Sequence, residues 1–263
     1  RGRFGFSRLR LLGDATLTLG AGVTALGAVE VSVLDTSKLT LGSLARQQFR
    51  LTARDRLQVA VGASVVGDGA GFTSGTQDTS CPAVGGRGGG VHGGGSQGST
   101  CGDYEWPMLA GSAGGAGTYA GASGGGSLLL LCNATAASEL DVNGTVSVNG
   151  ANGVSAGGYN QQASGGGAGG SLLVVASRVS GTGVMSANGG AGASGYGSYN
   201  SAPGSGGRVA MHVTGVGHTA FRGTVRAVAG AAYSTLPQAA AGTVFWCERP
   251  GSVVPDAETN RFG

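Results

Sequence analysis

Short apolar runs recur through the second half of the chain and set its pattern. They begin 44, 37 and 35 residues apart and occupy residues 127–131, 171–175, 208–213 and 243–247. Each of the first three leads into a Gly-Thr turn and then into a segment that alternates apolar and polar residues, at residues 146–149, 184–188 and 225–228. A glycine-rich segment follows and leads to the next run. Alternation is typical of a half-buried β-strand, and a continuous apolar run is typical of a strand buried on both faces.

The repeat predicts an all-β fold whose successive units stack, because a unit of two strands cannot bury its own apolar face. The economical arrangement is a right-handed parallel β-helix, a solenoid with coils about 4.8 Å apart. Alternating segments at residues 16–19, 29–33, 39–41 and 57–61 extend the pattern toward the N-terminus with tighter turns. We therefore expect one β-helix domain over residues 15–247, with a long glycine-rich insertion at residues 72–126. Residues 1–14 are predicted to be an N-terminal cap or linker, and residues 248–263 a C-terminal strap or linker.

Composition narrows the class of protein. Glycine supplies 57 of 263 residues, yet 40% of the chain is hydrophobic and only 11% is charged, unlike a disordered chain. Collagen is excluded because the strict Gly-X-Y period is absent. The net charge of +3 is too small for a nucleic-acid surface, although arginines concentrated before residue 57 leave open a basic patch for an acidic partner. The longest purely apolar run, residues 128–132, is far shorter than the roughly 20 residues of a membrane span.

Four glycine-rich segments carry a family resemblance: residues 165–172, 179–183, 186–190 and 206–210. They resemble the glycine-rich right-handed parallel β-helix (pectin-lyase-like) repeats of large secreted, adhesin-like or filament-forming proteins. The resemblance covers residues 120–245 well and the N-terminal part loosely. It implies a structural or adhesive extracellular role with no defined active site. The chain begins at Arg1 rather than at a methionine, so we expect it to be a segment of a longer protein.

The glycine-rich segments, here called arms, are expected either to be flexible surface loops or to stack along one side of the solenoid. Extended glycine segments can pack closely because no Cβ intervenes. The tyrosines favour stacking, because four of them recur at nearly constant spacing, one per unit: Tyr119, Tyr159, Tyr196 and Tyr233. Their rings could form a column along the stack. Asn149 and Asn188 occupy matching places after the alternating strand and predict a short asparagine ladder, which Val228 interrupts.

The cysteines and two sequons favour an oxidising, extracellular setting. Cys81 and Cys101 lie 20 positions apart in the insertion and are the preferred disulfide. Cys132 and Cys247 fall in equivalent strands three coils apart, too far to bond to each other; each is a buried free thiol or pairs outside this segment. Asn133 and Asn143 begin N-glycosylation sequons at predicted strand ends or turns.

The sequence offers little catalytic chemistry. Asp103 and Glu105 flank Tyr104 and precede Trp106; this group could bind sugar or calcium, or simply form a capped loop anchored by the tryptophan. His92, His212 and His218 are better explained as structural histidines. No metal-ligand spacing is present, so we expect no cofactor and no metal.

These observations predict a non-enzymatic, rigid β-solenoid rod in an extracellular filament, surface appendage or adhesin. Its partners are expected to be copies of itself or neighbouring segments of a longer chain, with glycans as a further possibility and no nucleic acid. The alternatives are a carbohydrate- or ice-binding module and, less favoured, a polysaccharide-active enzyme. Ice binding would use a file of outward threonines, of which the sequence offers Thr145, Thr182 and Thr224.

Overall fold

The computed structural model describes residues 2–43, 47–74, 89–93, 100–215, 219–233 and 238–248. Within these ranges the chain forms strands, turns and extended segments and contains no helix. No helix long and apolar enough to cross a membrane occurs among the described residues. The strands are β1 Gly2–Leu11, β2 Thr16–Thr18, β3 Val23–Val33, β4 Lys38–Thr40, β5 Phe49–Val59, β6 Ser64–Val66, β7 Ser127–Cys132, β8 Glu139–Val142, β9 Thr145–Ser147, β10 Ser171–Ala176, β11 Arg178–Gly181, β12 Val184–Ser186, β13 Arg208–Val213, β14 Thr219–Phe221, β15 Thr224–Arg226 and β16 Thr243–Glu248.

The strands make two curled sheets in which every pairing is parallel. The large sheet has ten strands, with the order β14-β11-β8-β5-β7-β10-β13-β16, and β3 lies between β1 and β5. The small sheet has six strands, in the order β15-β12-β9-β6-β4-β2. The prediction of an all-β chain with parallel strands is therefore confirmed.

The number of strands in each unit changes along the chain. β1, β3 and β5 are long strands of the large sheet, and each is followed by one short strand of the small sheet. From β7 onward two shorter strands replace each long one. β5 joins the two kinds of unit, because its residues 49–52 pair with β7 and its residues 56–59 pair with β8. Residues 2–11, assigned from sequence to a terminal cap or linker, are strand β1 paired with β3. The strap predicted at residues 248–263 lies outside the described residues except for Glu248.

The main core fills the space between the two sheets with columns of apolar side chains in register. One column of the large sheet contains Leu51, Leu130, Val174 and Met211. A column of the small sheet contains Leu39, Val65, Val146 and Met185, and all eight side chains are fully buried. Each register position thus stays apolar from unit to unit, and burying it stabilises neighbouring units together.

A second, smaller core covers the outer face of the large sheet. Leu129, Leu173, Val175 and Ala210 are buried there beneath Trp106 of the insertion. This explains why β7, β10 and β13 read as continuous apolar runs: one face meets the main core and the other meets the insertion.

Candidate functional site

The arms form an ordered array, and residues 164–170 lie at its centre. Consecutive amides of this segment donate hydrogen bonds in three directions, with a period of three residues. Gly165 and Ala168 donate to Gly115 and Ser112, Gly166 and Gly169 to Ala202 and Ser205, and Gly167 and Gly170 to Ala151 and Val148, at 2.8–3.1 Å. Three residues per turn is the period of a polyproline II helix. Residues 164–170 therefore have the hydrogen-bond period of such a helix, and their backbone is bonded directly to its neighbours.

Glycine is required where these backbones meet. A Cβ on Gly167 would overlap the carbonyl oxygen of Ser123, and a Cβ on Gly204 would overlap that of Gly167. Gly157, near the end of its arm, has open space on the side where a Cβ would project. Gly167 and Gly204 are thus packing positions inside the array, whereas Gly157 is a tolerant position.

The tips of the arms carry the tyrosines. Tyr159 and Tyr196 are in edge contact, with ring centroids 5.3 Å apart and planes at 64°. No ring contact among the described residues joins Tyr119 or Tyr233 to this pair, so a column of four touching rings is not formed there. The neighbouring backbones are bonded, since Thr118 donates to the carbonyl of Gln162 at 2.9 Å and Tyr196 to that of Gln161 at 3.0 Å. These tips thus lie side by side, but only two of the four rings, Tyr159 and Tyr196, are in contact among the described residues.

Three residues that begin equivalent strands hold the insertion on the outer face of the large sheet. The hydroxyls of Ser127 and Ser171 donate to the carbonyls of Met108 and Leu109 at 2.8 and 2.6 Å. The third, Arg208, is almost fully buried; its Nε donates to the Cys101 carbonyl and its Nη1 to the Thr243 hydroxyl, both at 3.1 Å. Burial lowers the pKa of the Arg208 guanidinium, against a raising effect of Asp103.

An aromatic cluster holds residues 103–106 of the insertion against the large sheet. The Trp106 ring stacks on the His212 ring with centroids 4.0 Å apart, and Phe245 lies against His212. The His212 ring Nε2 lies 2.7 Å from the carbonyl oxygen of Glu105. Asp103 accepts the backbone N–H groups of Glu105 and Trp106 at 2.7 and 2.9 Å. Of the two interpretations that the sequence left for this acidic group, a sugar or calcium site and a capped loop anchored by Trp106, these contacts are those of the capped loop. No cluster of three metal-ligating residues occurs among the described residues.

His92, which belongs to the insertion, is fully buried. Its Nε2 lies 2.9 Å from the Ser171 hydroxyl, and its backbone N–H donates to the Ser205 hydroxyl at 2.9 Å. Burial, together with the nearby Arg208 charge, lowers the pKa of His92 from 6.5 to about 3. The imidazole is therefore neutral near pH 7, which suits the structural role expected from sequence. His218 lies outside the described residues.

The structure also brings together a carboxylate pair that the sequence did not single out. Glu139 and Asp141 share a face of β8, and the Ser180 hydroxyl lies 2.9 Å from Glu139 and 3.4 Å from Asp141. Asp141 is engaged further by the Arg56 guanidinium at 3.3 Å and the Asn143 amide at 2.7 Å. Their i, i+2 spacing in a strand could have revealed the pair. The network leaves Asp141 occupied by protein donors rather than directed at a substrate.

Three of the four cysteines lie among the described residues. Cys101 is disulfide-bonded, whereas Cys81 lies outside the described residues, so their pairing stays a prediction. Cys132 and Cys247 are free, and burial raises the pKa of the Cys132 thiol to about 11.

The two sequon asparagines differ in their surroundings. Asn133 begins an exposed turn. Asn143 uses its side chain on both sides, donating to Asp141 and accepting the backbone N–H of Thr182 at 3.1 Å.

The threonine file is not formed. Thr145 and Thr224 both pair with Val184, which stands between them in the small sheet, and Thr182 lies in the preceding turn.

No family model, curated protein or solved structure matches this chain. The resemblance to pectin-lyase-like β-helix repeats is therefore wrong as an assignment of family, and the unequal, curled sheets are not clearly those of a β-helix. The physical reason is that the glycine motifs on which it rested meet a packing requirement. Wherever extended backbones pack this closely, glycine is needed, so the same motifs can arise without a shared family.

Proposed function

We propose that this chain is a rigid β-solenoid rod, a non-enzymatic structural segment of an extracellular filament, surface appendage or adhesin. The observation that carries the proposal is the parallel register, which runs without a shift from β7 through β10 and β13 to β16. In the large sheet Ser127, Ser171, Arg208 and Thr243 occupy one row, and each following residue continues its own row. Hydrogen bonds of such a ladder run along the axis of stacking, so a pull along that axis loads many bonds together.

The arm array supports the same proposal. The arm that contains residues 164–170 is bonded both to the insertion and to the arm at residues 187–207, so bending one unit away from the next would break bonds in both the sheets and the array. A surface loop that gated an active site would instead need few such bonds and low local stability. The array therefore favours a scaffold over a catalytic machine.

The ends of the stack support copies or neighbouring segments as partners. Among the described residues β1 pairs only with β3, and β16 only with β13. Phe4 and Phe6 at one end, and Val244 and Trp246 at the other, are about half exposed. Unpaired strand edges with apolar side chains favour further strand pairing.

Single-molecule pulling with handles at both ends tests the rod. We expect stepwise unfolding, with units leaving the stack in succession because each contacts only its neighbours. Unfolding of the whole chain in one step at low force would overturn the proposal. Electron microscopy over a range of concentrations tests the partner: fibres with one chain per axial repeat support stacking of copies, and a monomer at every concentration contradicts it.

An assay for reducing sugars released from pectin tests the enzymatic alternative. We expect no release. If sugar is released and the release is lost in the Glu139→Gln and Asp141→Asn variants, the non-enzymatic proposal is overturned. These two carboxylates lie on one face of β8 and are the pair that a hydrolytic mechanism would use.

A further inference from the structure

We propose that the row of tyrosines at the arm tips is a binding surface for a neutral polysaccharide. The row consists of Tyr119, Tyr159, Tyr196 and Tyr233, which expose 46%, 78%, 44% and 46% of their surface. This proposal does not depend on whether the chain forms filaments, because it concerns the side of the stack rather than its ends.

Exposure of four aromatic rings on successive arms calls for an explanation. Buried aromatic side chains contribute much of the stability of a fold, and here four are left at the surface on neighbouring arms. Tyr159 remains 78% exposed despite its edge contact with Tyr196, so most of its ring surface is open to a ligand. A pyranose ring has an apolar C–H face that packs on such an aromatic face. The 5.3 Å step between the two centroids is also close to the length of one sugar unit in an extended polysaccharide.

The absence of charge in the arms identifies the class of ligand. Residues 106–138, 142–177, 179–207 and 227–247 contain no Asp, Glu, Lys or Arg. An anionic polysaccharide, a nucleic acid or a phosphorylated ligand would be recognised by Arg or Lys, which these segments do not offer. Their polar side chains are amides and hydroxyls, including Thr118, Gln161 and Gln162, which can hydrogen-bond sugar hydroxyls without charge. Tyrosine with small polar residues and glycine is also the composition in which antibody binding loops are enriched.

The tips are held in place before any ligand arrives. The backbone N–H of Gln162 donates to the Thr118 hydroxyl at 2.8 Å, and the backbone N–H of Ala163 donates to the carbonyl of Tyr199 at 3.0 Å. Within single tips, Gln161 donates to the carbonyl of Gly158 and Tyr199 to that of Tyr196, each at 3.0 Å. Because these backbone bonds fix the tips, binding loses less conformational entropy than it would with free loops.

Titration of the whole chain with neutral and anionic oligosaccharides tests the proposal. The probes are the hexasaccharides of cellulose, xylan and mannan, with oligogalacturonate as the anionic comparison. We expect at least one neutral probe to bind, with an affinity that does not change between low salt and about 0.5 M salt. Tyr159→Ala and Tyr196→Ala should each weaken that binding about three- to tenfold, the effect of losing one aromatic contact.

Tyr104→Ala is the matched control, because Tyr104 is 52% exposed but belongs to the insertion rather than to the row. It should bind like the unaltered chain, and thermal unfolding should confirm that all three variants fold. Binding to oligogalacturonate alone, no binding to any of the probes, or neutral binding that survives both row substitutions would each overturn the proposal. Release of bound sugar as shorter fragments would instead count against the non-enzymatic function, so the two failures are distinguishable.

Discussion

The side-chain oxygen of Asn149 accepts the backbone N–H of Asn188, 39 residues later in the chain, at 2.7 Å. The same bond occurs in the units on either side. Asp68 accepts the N–H of Asn149 at 2.6 Å, and Asn188 accepts the N–H of Val228 at 3.1 Å. Each rung caps an amide at the point where a small-sheet strand ends and an arm begins. Val228, which interrupts the asparagine pattern in the sequence, takes part through its backbone.

This ladder predicts the effect of removing one rung. Asn149→Ala leaves the Asn188 amide without its acceptor and should lower the free energy of unfolding by about 1–2 kcal/mol, measured in urea. Asn149→Asp should stay within about 0.5 kcal/mol at neutral pH, because Asp68 already makes an equivalent rung with a carboxylate. Equal losses in both variants would show that the bond itself contributes nothing.

The array predicts opposite results for two glycines ten residues apart. Gly167→Ala places a methyl group against the Ser123 carbonyl and should destabilise the chain by about 3 kcal/mol or more, because the surrounding atoms are backbone and cannot rotate away. Gly157→Ala meets open space and should be neutral or raise stability by up to about 1 kcal/mol, since alanine restricts the unfolded chain. Thermal unfolding of the two variants measures the difference, and similar midpoints would contradict tight arm packing.

We expect the buried His92 to make the folded chain less stable in acid. The pKa of His92 in the folded chain, about 3, lies below its ordinary value of 6.5. Between pH 6.5 and pH 3, His92 therefore binds a proton in the unfolded chain but not in the folded chain. The contribution is therefore complete above pH 6.5 and is lost as the pH falls toward 3. His92→Gln should flatten the dependence of unfolding free energy on pH across this window by several kcal/mol.

Ser171→Ala is the control for this measurement. It removes the hydroxyl beside Nε2 but keeps the titrating ring, so it should lower stability by about 1 kcal/mol while retaining the slope. An unchanged slope in His92→Gln would refute the assignment.

We expect Arg208 to contribute to holding the insertion on the large sheet. Arg208→Met removes the bond to the Cys101 carbonyl and should cost about 1–3 kcal/mol, because a buried carbonyl loses its partner. Limited proteolysis should then cut within residues 100–110 faster than in the unaltered chain. Arg178→Met, an exposed arginine that begins β11, is the comparison and should leave the cutting rate unchanged. If both variants resist equally, the insertion is held by the aromatic cluster of Trp106 and His212 instead.

Much of the strand pattern could be predicted from the sequence. The runs at residues 127–131, 171–175, 208–213 and 243–247 coincide with β7, β10, β13 and β16. In β7, β10 and β13 both faces are buried, which leaves a continuous apolar signal. β16 has the same apolar character but alternates between half-buried and exposed residues. The strands β8, β11 and β14 were missed. They are three or four residues long, and charged or polar side chains on their outer face hide the alternation; Glu139 and Asp141 on β8 are an example.

The sequence by itself determined the chemical character of the chain: all-β, rich in glycine arms, with uncharged tips. These features depend on local preference and composition, which neighbouring residues carry. Only the tertiary structure decided which backbones meet: that β5 divides its pairing between β7 and β8, that residues 164–170 bond in three directions, and that Arg208 reaches Cys101. Such contacts join residues tens of positions apart, and they depend on the geometry of stacked units, which no local pattern records.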